Sequence, residues 1–221
     1  MKNFKRSLFF GIGIILAMVA SSCSPKKQND CGFVQNVYGQ RISWKTKKPV
    51  TVYLDSTVPA ALVPAIERAA QTWNDQIGRK VIEISKDFSQ LGSSPRDQKN
   101  GIYFLSDWES DKSSEQGRTS VYWAGDEIQE ADIRINAADF SYYSDVNSRQ
   151  ELVGSARLKA LGKRPVEGYN FEALMLHEMG HFLGMKHREG ASVMVTHLAP
   201  NVDDRIHPYS SDQEAVTCEY K

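Results

Sequence analysis

The sequence predicts a single α+β domain in which short strands come early and the main helices come late. Its 221 residues and 24.9 kDa suit one domain of ordinary size. Hydrophobic residues make up 41% and charged residues 24%, the usual proportions of a globular protein. Neither an internal repeat nor a second linker divides the chain, so one mixed domain is the simplest account.

Five short segments predict strands. They are rich in β-branched and aromatic residues, and several alternate between apolar and polar positions. In chain order they are residues 49–54, 80–85, 101–105, 119–124 and 131–136. The last two flank Gly125-Asp126, so we expect them to form the two arms of a hairpin.

Helices are predicted by spacing and by cap residues. Residues 59–77 place apolar side chains near helical spacing and are followed by Gly78, a helix stop. Ser211-x-x-Glu214 predicts a capping box that opens a last helix. Residues 137–168 are ambiguous, and residues 150–161 within them could form a further helix.

The first 22 residues have the layout of a secretory signal peptide. A basic start, with Lys2, Lys5 and Arg6, precedes an apolar run over residues 8–20 that is too short to span a membrane comfortably. The competing interpretation is an uncleaved membrane anchor. Export to the bacterial periplasm, the cell surface or the exterior is therefore the expected localisation.

Cys23 directly follows the small residues that close this segment, which resembles a bacterial lipoprotein signal. Cys23 would then become the lipidated first residue and would anchor the protein to a membrane. Ala20 stands where such signals usually have Leu, so ordinary cleavage and secretion stay open. Residues 23–48 then form a tether and N-terminal segment ahead of a domain at 49–221.

Two further cysteines, Cys31 and Cys218, predict a disulfide. An even pair in an exported protein is typical of disulfide bonding. This bond would join the start of the domain to its last residues and close a long loop. The competing interpretation is that the Cys31 thiolate caps a metal ion.

The most specific pattern is HEMGHFLGMKH, which contains three of the five histidines. Asn170 is the expected N-cap of a helix that runs to Leu183. His177 and His181, four residues apart, then project from one face of that helix and can bind the same Zn²⁺.

The remaining residues of the pattern complete a catalytic zinc site. Gly184 suits the left-handed conformation of a helix end, and the turn there would return His187 to the metal as a third ligand. A fourth position stays open for water, which distinguishes a catalytic site from a structural one. Glu178, next to the first ligand, can act as general base on that water.

The pattern H-E-x-x-H-x-x-G-x-x-H resembles the zinc signature of the metzincin clan of metalloproteases. The Met-turn of that clan is matched by Ser192-Val193-Met194, with Met194 expected as an apolar floor beneath the metal. Residues 65–73 and 131–136 add a likeness to matrixins, particularly to small bacterial matrixin-like proteases. The resemblance implies a twisted, mostly parallel sheet, an active-site helix and a C-terminal helix.

The resemblance also implies a zinc-dependent endopeptidase that hydrolyses peptide bonds with a zinc-bound water activated by Glu178. Arg188 stands where astacins usually have Glu. Thr196 stands where astacins and serralysins have a tyrosine that binds zinc, so that ligand is missing here. His197 and His207 are expected in exposed loops, with a place at the rim of the pocket as the alternative, and they are too few for the second, structural zinc site of matrix metalloproteinases. Calcium stays possible but unresolved.

The expected partner is a peptide or protein substrate that adds to the sheet edge at residues 119–124, with residues 194–208 walling the pocket. Lysine plus arginine and aspartate plus glutamate balance at 27 each, so no charge excess indicates nucleic acid. A monomer is expected. The alternative function is an inactive, lipid-anchored binding module that keeps the protease fold.

Overall fold

The computed structural model describes residues 26–87, 91, 96–165 and 167–221. The residues predicted to form a signal peptide and Cys23 lie outside the described residues, so export and lipidation stay predictions. None of the helices in the described part of the chain combines the length and the hydropathy needed to span a bilayer.

A five-stranded sheet forms the centre of the domain, with strand order β2-β1-β3-β5-β4. Three neighbouring pairs run parallel, and only β4 runs antiparallel to its neighbour β5. The prediction of an α+β domain with a mostly parallel sheet is therefore confirmed. The strands are β1 (Val50–Leu54), β2 (Ile82–Ser85), β3 (Asn100–Leu105), β4 (Gly117–Ala124) and β5 (Glu127–Asn136).

The first helix, α1 (Val63–Ile77), lies between β1 and β2 in sequence and follows a short 3-10 turn at Ala60–Leu62. Its apolar residues recur at helical spacing and are buried, and Gly78 ends it with a φ of 79°. Trp73, fully buried on this helix, donates its indole N–H to the Leu176 carbonyl 2.9 Å away. This bond fixes α1 against the helix that carries the histidines.

The ambiguous region folds into small elements. A second sheet has the order β7-β6-β8 and is built from β6 (Ser141–Tyr143), β7 (Val153–Gly154) and β8 (Tyr169–Asn170). The helix considered for residues 150–161 is limited to α2 (Ala156–Ala160), because Val153–Gly154 pairs with β6. The longer helix was wrong.

Both late helices form, but only the first begins at the cap residue that the sequence predicts. α3 spans Phe171–Phe182, and the Asn170 side chain accepts a hydrogen bond from the Ala173 N–H at its start. α4 spans Ser210–Tyr220. The predicted Ser211–Glu214 capping box is wrong: the N-cap of α4 is Tyr209, two residues before Ser211, and its N–H donates to Asp212.

Candidate metal and catalytic centre

His177 and His181 lie one turn apart on α3, and each ring is oriented by a backbone carbonyl. The Nδ1 of His177 is 2.8 Å from the Val193 carbonyl oxygen, and the Nδ1 of His181 is 2.8 Å from that of Met185. A carbonyl oxygen can only accept, so both Nδ1 atoms carry the proton. Each Nε2 therefore presents a lone pair to the space between the rings, the tautomer that metal ligation requires.

His187 reaches the same point because the chain reverses at Gly184. This glycine has a φ of 101°, and a Cβ there would clash with the Ile42 carbonyl oxygen. The Lys186 N–H donates to the Gly32 carbonyl and the Arg188 N–H to the Met194 carbonyl, at 2.9 and 3.0 Å. The bonds on both sides of His187 hold the returning chain in place.

The three Nε2 atoms converge at distances of 3.1, 3.2 and 3.3 Å from one another. In a tetrahedral complex with bonds of about 2.0–2.1 Å, two nitrogen ligands lie roughly 3.3 Å apart, so the triangle fits Zn²⁺. Within the described residues this is the one group of three His, Cys, Asp or Glu side chains close enough to hold a metal ion.

The electrostatics of the site suit a metal ligand set. Burial lowers the pKa of both His177 and His181 to about 4, and it also lowers the pKa of His187. The imidazoles are therefore neutral at neutral pH, and no proton has to leave before a cation binds.

Glu178 lies beside the triad and is buried under the start of β4. The Thr119 hydroxyl donates to its carboxylate across 2.6 Å. A Cβ at Gly117, two residues earlier on the same face of β4, would lie 2.8 Å from the other carboxylate oxygen. Burial raises the pKa of Glu178, which moves a carboxylate towards the range of an effective general base.

Met194 is fully buried against α3, directly over Gly180. A side chain at Gly180 would overlap the Met194 sulfur, so the glycine makes room for it. Asp212 of α4 holds the adjacent chain: it accepts from the Ser192 hydroxyl and from the Val193 N–H at 2.9 Å. Because the Val193 carbonyl orients His177, this network extends to the metal ligand.

A cavity of about 850 Å³ opens beside the triad. β4, an edge strand of the main sheet, borders it with Gly117, Thr119, Val121 and Trp123. The loop after Met194 borders it with a stretch from Val195 to Leu198. Residues 119–124 and 194–208, the two segments expected from the sequence to contact a substrate, therefore both contribute to one cleft. His197 and His207 are exposed, as expected.

Cys31 and Cys218, which are 187 positions apart in sequence, are joined by a disulfide with Cα atoms 6.3 Å apart. Cys31 is therefore not the metal-capping thiolate of the competing interpretation. The bond ties the N-terminal segment to the end of α4.

The family model for matrixin matches residues 43–221. The chain belongs to the matrixin family. Matrixins are zinc metallopeptidases of the metzincin clan. The resemblance to this clan that the HExxHxxGxxH pattern and the Met-turn indicated is therefore confirmed at family level. Comparison with the sequences of curated proteins gave no match.

Three residues of this matrixin's centre were not found from the sequence: Gly117, Thr119 and Asp212. Thr119 is 59 residues from Glu178 in the chain, and Asp212 is 20 residues from Ser192. No local motif marks such contacts. The strand predicted from the sequence began at Thr119, whereas β4 begins at Gly117, so the pair Gly117 and Thr119, which share a face of the strand, was missed.

Proposed function

We propose that this matrixin is a zinc-dependent endopeptidase. The observation that carries the proposal is the convergence of three neutral imidazole nitrogens, 3.1–3.3 Å apart, beside a buried carboxylate in an open cleft. Three protein nitrogens leave a fourth tetrahedral position free, which is the arrangement of catalytic rather than structural zinc.

Bound Zn²⁺ would supply a Lewis acid that lowers the pKa of water and polarises a carbonyl group. The chain itself supplies the proton transfers. Glu178, held by the Thr119 hydroxyl, accepts the proton of the attacking water and delivers it to the leaving amine. Its buried position removes the competing solvent that would otherwise stabilise the charged carboxylate.

The substrate is a peptide in extended conformation. β4 is an edge strand bordering the cleft, so a peptide can pair with its free backbone groups as an added strand. The loop from Val195 to Leu198 also borders the cleft and would contact side chains near the scissile bond.

The decisive experiment compares wild type with Glu178→Gln, which keeps the size of the side chain and the acceptor for Thr119 but cannot serve as base. We expect about one zinc per chain in both proteins and cleavage of a peptide library by wild type. Turnover of Glu178→Gln should fall by at least about 10²-fold, the usual contribution of a general base.

The matched control is Glu214→Gln, the same substitution at an exposed position of α4. This variant should cleave like wild type. Wild-type protein without zinc, or equal cleavage by Glu178→Gln, would contradict the proposal. Stoichiometric zinc with no cleavage by wild type would instead favour the inactive binding module.

A further inference from the structure

The N-terminal segment, defined here as residues 31–42, lies before the region that matches the matrixin family, yet it lines the cleft. Val34 and Ile42 of this segment border the same cavity as the three histidines. The family match begins at residue 43, so this wall comes from a part of the chain that the family pattern does not describe.

The segment is attached to the ends of both elements that frame the cleft. On the α3 side, the Val34 N–H donates to the Gly184 carbonyl across 2.9 Å, and Phe33 forms a bridge with Met185. On the sheet side, the Asn36 side chain donates to the carbonyl of Gly125 in the β4–β5 turn, also across 2.9 Å. The segment therefore closes the cleft between the helix end and the hairpin.

α4 holds this wall in place. The Cys31–Cys218 disulfide fixes its start, and an ion pair between Arg41 and Glu219 fixes its end. The Ile42 N–H donates to the Val34 carbonyl at 2.9 Å, so the two lining residues are also joined to each other. A wall held at both ends loses little conformational entropy when a ligand contacts it.

The chemistry of this end of the cleft is apolar. Val121, Trp123 and Met185 line the cavity together with Val34 and Ile42. Val34 is 38% exposed and Trp123 is 49% exposed, so both present apolar surface that no described residue covers. Three charged residues line the cavity outside the metal centre. Glu115 lies in the loop before β4, Arg118 at the start of β4, and Arg205 in the chain after Met194.

We propose that the N-terminal segment and the end of β4 form a substrate subsite that takes a large apolar or aromatic side chain of the peptide. The subsite is continuous with the metal centre, because all these residues border one cavity. This inference rests on the proposed function and adds a preference for substrate sequence. An apolar substrate side chain gains affinity there by covering Val34 and Trp123.

The test is a comparison of cleavage profiles on a peptide library, using the purified full-length protein. Wild type should prefer a large apolar residue at one position of the substrate. Val34→Asp places a charge in the subsite and should lower kcat/KM for those peptides by about tenfold or more, since polar groups there lose solvation. Trp123→Ala should weaken the same preference.

The matched control is Val37→Asp, the same substitution in the same segment at a residue that is 93% exposed and does not line the cavity. Its kcat/KM should stay within about twofold of wild type, as for a surface change. Thermal unfolding and zinc content establish that all variants are folded and loaded. An unchanged preference in both Val34→Asp and Trp123→Ala would overturn the subsite.

Failure of the subsite and failure of the proposed function are distinguishable. If wild type cleaves nothing, the endopeptidase proposal fails. The subsite is then tested separately, by measuring peptide binding to the Glu178→Gln protein with calorimetry. Val34→Asp and Val37→Asp are each added to the Glu178→Gln protein. Weaker binding of apolar peptides by the variant with Val34→Asp, but not by the variant with Val37→Asp, supports the subsite. Equal binding by all three proteins overturns it.

Discussion

The two ends of α4 hold two different parts of the cleft wall, and they use different chemistry. At its start, fully buried Asp212 accepts hydrogen bonds from Ser192 and Val193 in the Met-turn and from Tyr209. At its end, Cys218 forms the disulfide with the N-terminal segment, and Glu219 bonds the side chains around Arg41.

This difference indicates at which end of α4 a side-chain substitution should affect the candidate metal site. The Met-turn side carries the Val193 carbonyl that orients His177, so a change there reaches a ligand through one hydrogen bond. The N-terminal side pairs its backbone with residues 184–186, between His181 and His187, and lines the cleft, but none of its side chains bonds a histidine ring. We expect changes at Asp212 to alter zinc affinity, and changes at the other end to alter stability or substrate preference.

The largest expected effect is that of Asp212→Ala. It leaves the Ser192 hydroxyl and two N–H groups without their acceptor, which should lower the free energy of unfolding by about 3 kcal/mol or more. Because the Val193 carbonyl then loses its fixed position, zinc affinity should fall about 10–100-fold. Denaturant unfolding and zinc titration measure both, and the exposed Glu214→Ala on the same helix is the control. Unchanged zinc affinity in Asp212→Ala would contradict the predicted dependence of the metal site on this end of α4.

The next effect is that of the double variant Cys31→Ser/Cys218→Ser. Removing a cross-link that closes so long a loop should lower the free energy of unfolding by about 2–4 kcal/mol, measured with denaturant. A reductant should destabilise wild type but not this variant. Zinc affinity should match that of wild type, and a loss comparable with that of Asp212→Ala would contradict the contrast between the two ends.

Gly180→Ala tests how closely the Met-turn packs. The added methyl group would overlap the Met194 sulfur, and overpacking of a core typically costs about 1–3 kcal/mol. Thermal unfolding should show a lower Tm despite the better helix propensity of alanine. Combined with Met194→Ala, which opens space, Gly180→Ala should destabilise much less than it does alone. Equal effects in both backgrounds would show that the two residues are not in contact.

The smallest effect concerns pH at the end of α4. Burial alone would raise the pKa of Glu219, but hydrogen bonds from Lys45, Ser43 and Arg41 hold it below its usual value of 4.5. A lowered pKa in the folded state contributes stability above pH 4.5 that is lost as pH falls through the folded value. Glu219→Gln should therefore lower the free energy of unfolding by about 1 kcal/mol at pH 7. The difference should shrink as pH falls below 4.5 and the folded-state carboxylate becomes protonated, and a difference that stays constant from pH 7 into strong acid would contradict the assignment.

The histidine triad and the neighbouring Glu178 of the candidate centre could be predicted because their geometry is local. His177, Glu178, His181 and His187 lie within eleven residues, and helix periodicity with one glycine turn is enough to bring them together. The strands and α1 were predictable for the same reason. Their boundaries moved by only a few residues, since β-branched runs and a helix with Gly78 as its stop are local signals.

The remainder depended on contacts between distant parts of the chain. The capping box at Ser211 was wrong because Asp212 also bonds the Met-turn, a tertiary contact that shifts the start of the helix. The helix at 150–161 shortened because Val153 pairs with β6. Nothing in the local sequence indicated that residues 31–42 would line the cleft, because Val34 reaches it by bonding a residue 150 positions away.

The most direct test of the central claim is X-ray absorption at the zinc edge on purified protein. The account predicts three nitrogen neighbours and one oxygen neighbour at about 2.0–2.1 Å, with one nitrogen lost in His187→Ala. That result would establish three histidine ligands and one open position. A sulfur neighbour at about 2.3 Å, or a zinc ion in His187→Ala with an unchanged shell, would contradict it.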